Sequence, residues 1–367
     1  MKFVLAVFQI SKRGGKERDC LAVAEHLAAR GHDVTVVTTS PNADVPHPLH
    51  AVTLARSGIS NHARARNFAN AVAGYAAAER PDALIAFERI PGADFYFAAD
   101  AAIAPRLSGF GSLLPRRRTY LALERGVAGR RAATRIFFLT QRQRDEYAAL
   151  YRLEPSRGIL LPLILHDERY DAIAAPADRS RIRAQLGLPE HAIIGVSIAV
   201  QPRQKGVDRS LAAAAAHPGL HLAIAGSSED WMKQQARTLN IADRVHILPY
   251  VQNVMDLMRA GDFLIHPARA EAAGQVIGEA LLAGTPAIVS GICGYGEAIT
   301  SSGAGIVLPE PFTQPALVDA ISAMLEQLPE MRQAAAAESI KQWPLRGRWL
   351  SVIADEVEAH AAKRKQI

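Results

Sequence analysis

The sequence predicts an α/β protein built from two doubly wound parallel-sheet domains, and three observations carry that expectation. Short apolar runs rich in β-branched and aromatic residues alternate with alanine-rich helical stretches from end to end, the pattern of parallel sheets covered by helices on both faces. At 367 residues, 49% of them hydrophobic, the chain exceeds the size at which a single core stops growing. A polar, irregular stretch, "HDERYDAIAAPADRS", separates the two sets of runs and reads as a linker.

The first set of strands is expected in "FVLAVFQ", "DVTVVTT", "ALIAFE", "FYFAAD", "RIFFLT" and "GILLPL". The second is expected in "AIIGVSIAV", "HLAIAG", "VHILPY", "DFLIHPA", "TPAIVS" and "AGIVLPE". After "EPF" the pattern turns all-helical, with Pro344 breaking it before an amphipathic run. The organisation that follows is a first domain over 1–165, a second over 166–344, and a terminal helix over about 345–367 folding back on the first.

The opening "MKFVLAVFQI" runs into "SKRGGKERD" without a small-residue cleavage site, so it reads as a strand and not a signal segment. No stretch approaches the roughly 20 apolar residues that span a bilayer. Cys20 and Cys293 stand far apart, which excludes a disulfide framework and a cysteine zinc cluster and makes a reducing, cytosolic location the default. The net charge of +6 is local: Arg106, Arg116, Arg117, Arg118, Arg125, Arg130, Arg131 and Arg135 face one acid, Glu124, so 101–135 carries +7 and the rest −1. The rings of Phe110 and Tyr120 are too few there for base stacking, which argues against a nucleic-acid partner.

In parallel sheets ligands bind beyond the carboxyl ends of strands. "EAAGQVIGE" follows the strand-like "DFLIHPA" and keeps two carboxylates, Glu271 and Glu279, on an otherwise small, apolar stretch. If all nine residues were helical the acids would lie about 12 Å apart. That reach suits a nucleotide sugar with an acid at each end and its phosphates at the amides of Gly274, Gln275 and Val276, where a helix dipole favours anions. The plainer alternative is a surface Glu279 and a dipole-complementing Glu271. The loop "VQPRQKGVDRS" offers Arg203 and Lys205 as a diphosphate clamp, or as a solvated basic turn.

In the first domain, Gly14 and Gly15 follow the first strand and permit close ligand approach or a plain tight turn; the dinucleotide fingerprint GxGxxG is absent. Asp19 lies one turn into the next helix, facing cleft or solvent. Asp100 ends "FYFAAD" and reads either as a base for an attacking hydroxyl or as the N-cap of "AAIAPRL". His266 ends "DFLIHP" as a cleft or a core histidine. No Ser-His-Asp triad and no histidine pair at metal spacing is present.

Glu-x7-Glu after "HPA", the Arg/Lys loop before "GVDRS" and the Gly-Gly turn together resemble the retaining GT-B glycosyltransferases of the glycogen-synthase-like superfamily. More narrowly, "IPGADFYFAAD", "KGVDRS", "HPARAEAAG", "CGYGE" and "EPF" resemble the lipopolysaccharide core glucosyltransferase I family over nearly the whole chain. The resemblance implies two Rossmann-like domains with a cleft between them, a UDP-glucose donor and a lipid-linked heptose acceptor of the lipopolysaccharide inner core. It also implies an enzyme peripheral to the inner face of the cytoplasmic membrane, with the arginines meeting an anionic surface.

Carried over residue by residue, Glu279 would bind ribose, Glu271 the donor sugar and Lys205 the diphosphate, with Asp100, Asp19, Gly14 and Gly15 toward the reaction centre. A metal is not expected, because Lys205, Arg203 and helix amides take its place. Two departures stand out: Gln204 occupies the position where the family has a clamp arginine, and "SKR" precedes Gly14 where the family has aromatic residues. The alternative readings are a catalytically inactive, nucleotide-binding, membrane-docking subunit and a UDP-sugar epimerase of the same fold.

Overall fold

The computed structural model describes residues 1–10, 15–41, 45–104, 114–175 and 178–365. Two compact units make up the chain, Met1–Pro162 with Arg348–Ile367, and Leu163–Gly347.

Unit 1 contains β1 (Lys2–Ala6), α1 (Gly15–Ala29), β2 (Asp33–Thr38), β3 (His50–Thr53), α2 (Asn61–Glu79), β4 (Ala83–Ala86), β5 (Phe95–Phe97), α3 (Pro115–Ala128), β6 (Arg135–Phe138), α4 (Gln141–Tyr151) and β7 (Gly158–Leu160). Its seven strands run parallel in the order β3-β2-β1-β4-β5-β6-β7. The central β1 and β4 bury nearly every residue, as strands covered on both faces must. All six runs expected as strands form them; β3 is the addition. Its "HAVT" is mostly exposed at the sheet edge, so it carries no buried pattern by which the sequence could announce it.

Unit 2 contains α5 (Asp167–Ala174), α6 (Arg179–Gln185), β8 (Ile193–Ile198), α7 (Val207–Ala215), β9 (Leu220–Ala225), α8 (Asp230–Thr238), β10 (Val245–Leu248), α9 (Val254–Ala260), β11 (Phe263–His266), α10 (Gln275–Leu282), β12 (Ala287–Ser290), α11 (Gly296–Ser302), β13 (Gly305–Leu308), α12 (Gln314–Glu326) and α13 (Leu328–Gln342). Its six parallel strands run β10-β9-β8-β11-β12-β13, each in a run the sequence marks, with β9 starting one residue earlier, at Leu220. The core sits between sheet and helices, around Leu222, Phe263, Ile265, Ile288 and Ile321.

The expected linker is a correction. Residues 167–174 form α5, which buries Tyr170 against Trp343 at 5.7 Å between ring centres, and 179–185 form α6. The segment is polar because its outer face is wet, while one aromatic residue anchors it; a polar count averages over both faces. The division falls after Pro162, three residues before the position the sequence suggests.

The last helix, α14 (Arg348–Arg364), belongs to unit 1. It buries Trp349 and pairs Asp355 with Arg30 at 2.7 Å, Glu356 with Arg135 at 2.7 Å and Glu358 with His32 at 2.7 Å.

Candidate functional site

Strand order decides where each sheet can hold a ligand. In unit 2 the winding reverses between β8 and β11, and the loops leaving neighbouring strands at such a reversal open a crevice at the carboxyl edge. Those two loops carry Lys205 and Glu271. They lie in contact because residue 206 is glycine: its φ of +77° is left-handed, and a Cβ there would come 2.0 Å from the Pro267 carbonyl oxygen. Side chains then stitch the loops together. The Arg269 amide donates to the Gln204 carbonyl at 2.8 Å, the Gln204 Nε2 to the Ala270 carbonyl at 3.2 Å, and the Arg269 guanidinium to both Asp208 carboxylate oxygens at 2.7 Å.

Within this frame Lys205 Nζ meets Glu271 Oε2 at 2.5 Å, and His266 Nε2 lies 3.1 Å from the same oxygen. Burial alone would raise the Glu271 carboxyl; the His266 hydrogen bond and the Lys205 charge outweigh it and hold the group at about 2. Glu271 is therefore a carboxylate throughout the physiological range. The next helix, α10, starts one residue after Gly274, which caps it at φ +89°, so the positive end of the helix dipole lies at the same sheet edge.

Glu279 sits a turn inside α10, buried, and accepts from Arg169 Nε at 2.7 Å. Arg169 lies in α5, inside the segment read as linker, and sequence reasoning missed it for that reason. Cys293 and Tyr295, from "CGYGE", brace the loop from the β12 side: the Tyr295 amide donates to the Ala273 carbonyl at 2.8 Å, and burial pushes the Cys293 thiol up to about 12. Arg203 does not join the Lys205–Glu271 pair. Its guanidinium lies over the Trp231 ring, 3.8 Å from the centroid.

Unit 1 repeats the arrangement. Its winding reverses between β1 and β4, and there Lys16 Nζ meets Glu88 Oε1 at 2.6 Å, with Asp100 Oδ2 3.5 Å from the same nitrogen. Burial opposes the Lys16 charge, but Glu88 and Asp100 outweigh it and the ammonium titrates above its ordinary value. Neither Lys16 nor Glu88 was singled out from sequence. The signal was available: Glu88 closes "ALIAFE" at a strand exit, as Glu271 follows "DFLIHPA".

Gly14 lies outside the described residues and Gly15 is the first residue of α1. Asp19 is buried, at 2% exposure, which removes the solvent-facing one of its two readings. Asp100 also needs correcting. Strand β5 ends at Phe97, and residues 101–103 are not helical, so Asp100 neither ends a strand nor caps a helix; its exposed side chain sits on a loop. That loop is fixed from below. Gln143 Nε2 donates to the carbonyls of Ala98 and Asp100 at 2.7 and 3.0 Å. The fully buried Glu124 accepts from the amides of Ile103 and Ala104, from Arg89 Nε at 3.0 Å and from the Tyr151 hydroxyl.

Of the arginine window, Arg116, Arg118, Arg125, Arg130 and Arg131 are exposed and Arg117 half-buried, while α3 turns Leu123, Glu124, Val127 and Ala128 inward. Arg135 is tied to Glu356, which removes it from that surface, and Arg106 lies outside the described residues. Among the described residues no helix is long and apolar enough to cross a membrane, and no group of three or more His, Cys, Asp or Glu could hold a metal ion.

Both halves of the chain are similar to known proteins. The model of the glycosyl transferases group 1 family matches residues 178–342, and that of glycosyltransferase family 4 matches residues 13–175. The lipopolysaccharide glucosyltransferase WaaG of Escherichia coli K12 is 32% identical over 326 residues, covering 86% of this chain and 87% of its own. A crystal structure of WaaG, a glycosyltransferase involved in lipopolysaccharide biosynthesis, superposes with a TM-score of 0.86 at 28% identity, over 97% of this chain and 99% of that one. A D-inositol 3-phosphate glycosyltransferase of Catenulispora acidiphila is 30% identical over 48% of this chain and 46% of its own. Two parallel sheets, a Lys–Glu pair where each reverses, and likeness to WaaG along the whole chain have one reading: this protein is a hexosyltransferase of GT-B fold and belongs to the group 1 glycosyltransferases, in the family of WaaG.

Proposed function

We propose that this enzyme transfers glucose from UDP-glucose, with retention of configuration, to a heptose of the lipopolysaccharide inner core. The observation that carries the reading is the Lys205–Glu271 pair beside the amino end of α10. A nucleoside diphosphate sugar needs cations at its phosphates and an acceptor for its hydroxyls, and this crevice offers both. Lys205 and the first-turn amides of Gly274, Gln275 and Val276 take the diphosphate, Glu271 the sugar, and Glu279, oriented by Arg169, the ribose. Arg203 reaches the phosphates only by leaving Trp231. On the acceptor side, Asp100 beside Lys16 receives the hydroxyl proton, and Asp19, with Gly14 and Gly15, shapes the backbone around it. Likeness to WaaG supports the acceptor class. No metal is required in this scheme, because cations of the chain neutralise the leaving diphosphate.

The test is a thermal-shift panel of UDP, GDP and ADP. UDP at about 100 times its dissociation constant adds roughly 2.7 kcal/mol and raises the melting temperature. Glu279→Ala removes a charged hydrogen-bond acceptor worth about 1.5–3 kcal/mol, so its UDP response shrinks and its donor KM rises with a smaller change in kcat. An unchanged response would sink the ribose assignment.

The lipid-linked acceptor brings the enzyme to the inner face of the cytoplasmic membrane, where it binds peripherally. Each arginine near an anionic leaflet contributes about 1 kcal/mol, and Arg116, Arg118 and Arg125 stand exposed on α3 beside the exposed Leu114. Cosedimentation with phosphatidylglycerol vesicles is expected, falling as salt rises and after Arg116, Arg117 and Arg118 are replaced by Ser. Equal binding to neutral vesicles would remove the claim.

A further inference from the structure

The turn "CGYGE" holds a side chain with no part in the scheme above, the hydroxyl of Tyr295. We infer that Tyr295 is a positioning residue for the donor, tying the loop that carries Glu271 to the segment by which the chain enters unit 2. The inference rests on the reading of the Lys205–Glu271 crevice as the donor site, and on the contacts of Tyr295 for the rest.

Tyr295 is buried at the turn between β12 and α11, and it holds two other segments at once. Its backbone amide donates to the Ala273 carbonyl at 2.8 Å, between Glu271 and the Gly274 that caps α10. Its hydroxyl accepts from the buried amide of Ile164 at 3.1 Å, from 131 positions away in sequence. The turn is itself fixed: the Gly296 amide donates to the Cys293 carbonyl at 3.0 Å, and Ser290 Oγ donates to the Ala268 carbonyl at 2.9 Å.

Ile164 belongs to the first three residues of unit 2. Those residues also lie along α10. A Cβ at Gly278 would come 2.8 Å from Leu163 Cδ2 and 3.4 Å from Leu165 Cδ2, so the contact falls one position before Glu279. The helix that follows them, α5, carries Arg169, which reaches Glu279 at 2.7 Å. The contacts therefore close a circuit. One limb runs from Ile164 through Tyr295 to Ala273 and into α10; the other runs from Glu279 through Arg169 back along α5 to the same segment.

The hydroxyl matters because a buried backbone amide without an acceptor is costly, so without Tyr295 Oη the entry segment must move to find another partner. That movement shifts Leu163 against Gly278 and α5 beneath Arg169, and it loosens Tyr295 against Ala273. The donor then meets two glutamates whose spacing is no longer fixed in advance, and ordering them on binding costs affinity. The residues assigned to the acceptor side, Lys16 and Asp100, lie in unit 1 and are untouched.

Tyr295→Phe keeps the aromatic ring and removes the one oxygen. UDP-glucose binding, read by calorimetry, is expected to weaken about 10-fold. Donor KM rises in step, while kcat at saturating donor stays within about threefold and acceptor KM within about twofold of wild type. Hydrogen exchange at the Ile164 amide of the unliganded protein is expected to quicken about 10-fold or more. Faster exchange with unchanged UDP-glucose affinity would overturn the inference and leave Tyr295 a brace of the fold alone. Unchanged exchange would overturn it too, because the hydroxyl would then not hold the segment. Glu271→Gln separates this from the donor reading. If it weakens UDP-glucose binding and Tyr295→Phe does not, the inference alone falls; if neither does, the donor role of Glu271 falls with it. Weakening in Tyr295→Phe alone would overturn the Glu271 assignment and keep the tie.

Discussion

Lys205→Ala is expected to lower kcat roughly 100-fold or more, by analogy with other preorganised charges at a departing group, and to lower the melting temperature modestly without unfolding the protein. The ammonium sits 2.5 Å from Glu271 in a loop held by backbone and Arg269 contacts that do not involve its side chain, so its removal costs charge and not architecture. Glu271 keeps His266 as a partner, but its carboxyl, held at about 2 in the intact pair, rises toward its ordinary 4.5. The sign of the stability effect follows from that depression. A carboxyl depressed on folding contributes stability that is present above about 4.5 and lost as pH falls toward about 2, so the variant's deficit is widest above pH 4.5 and closes in acid. A kcat within threefold of wild type would remove Lys205 from the step in which the diphosphate leaves.

Glu124→Ala is expected to produce the largest stability loss in unit 1, about 3–5 kcal/mol, the range for breaking a buried pair by removing one partner. For a unit of this size that corresponds to a fall in melting temperature of about 10 °C. The physical reason is the census of donors: two backbone amides, Arg89 and the hydroxyls of Tyr147 and Tyr151 all end on one fully buried carboxylate. Deleting it strands a guanidinium that is only 11% exposed. Replacing both partners, Glu124→Leu with Arg89→Met, should recover much of the loss, since the uncompensated charge goes too. A melting temperature within 2 °C of wild type for Glu124→Ala, as read by calorimetry, would show that water or rearranged side chains replace the carboxylate at little cost.

Among the described residues, twelve of the thirteen strands could be read from the sequence because central parallel strands are apolar on both faces, as in "ALIAFE". The exposed edge strand β3 could not, since pairing through backbone alone leaves no trace in side chains. Glu271 and Lys205 were legible because strand-exit loops are where parallel sheets put charge, and Glu279 because it follows Glu271 into the small, apolar start of α10. Their partners were not. Arg169 reaches Glu279 across 110 positions and Lys16 reaches Glu88 across 72, and nothing local in either segment encodes the pairing. Glu124, counted only as the single acid among eight arginines, was given no role from sequence, yet it is the buried end of the network that fixes the Asp100 loop.

One measurement tests retention and metal-independent transfer together. UDP-glucose and a lipid-free inner-core heptose acceptor are incubated with the enzyme in excess EDTA, and the anomeric proton of the product is followed by NMR. The account predicts transfer at the same rate with and without the chelator, and a product whose new linkage keeps the α configuration of the donor. A β-linked product would contradict retention, and transfer abolished by EDTA and restored by magnesium would contradict a diphosphate held by Lys205 and the amino end of α10.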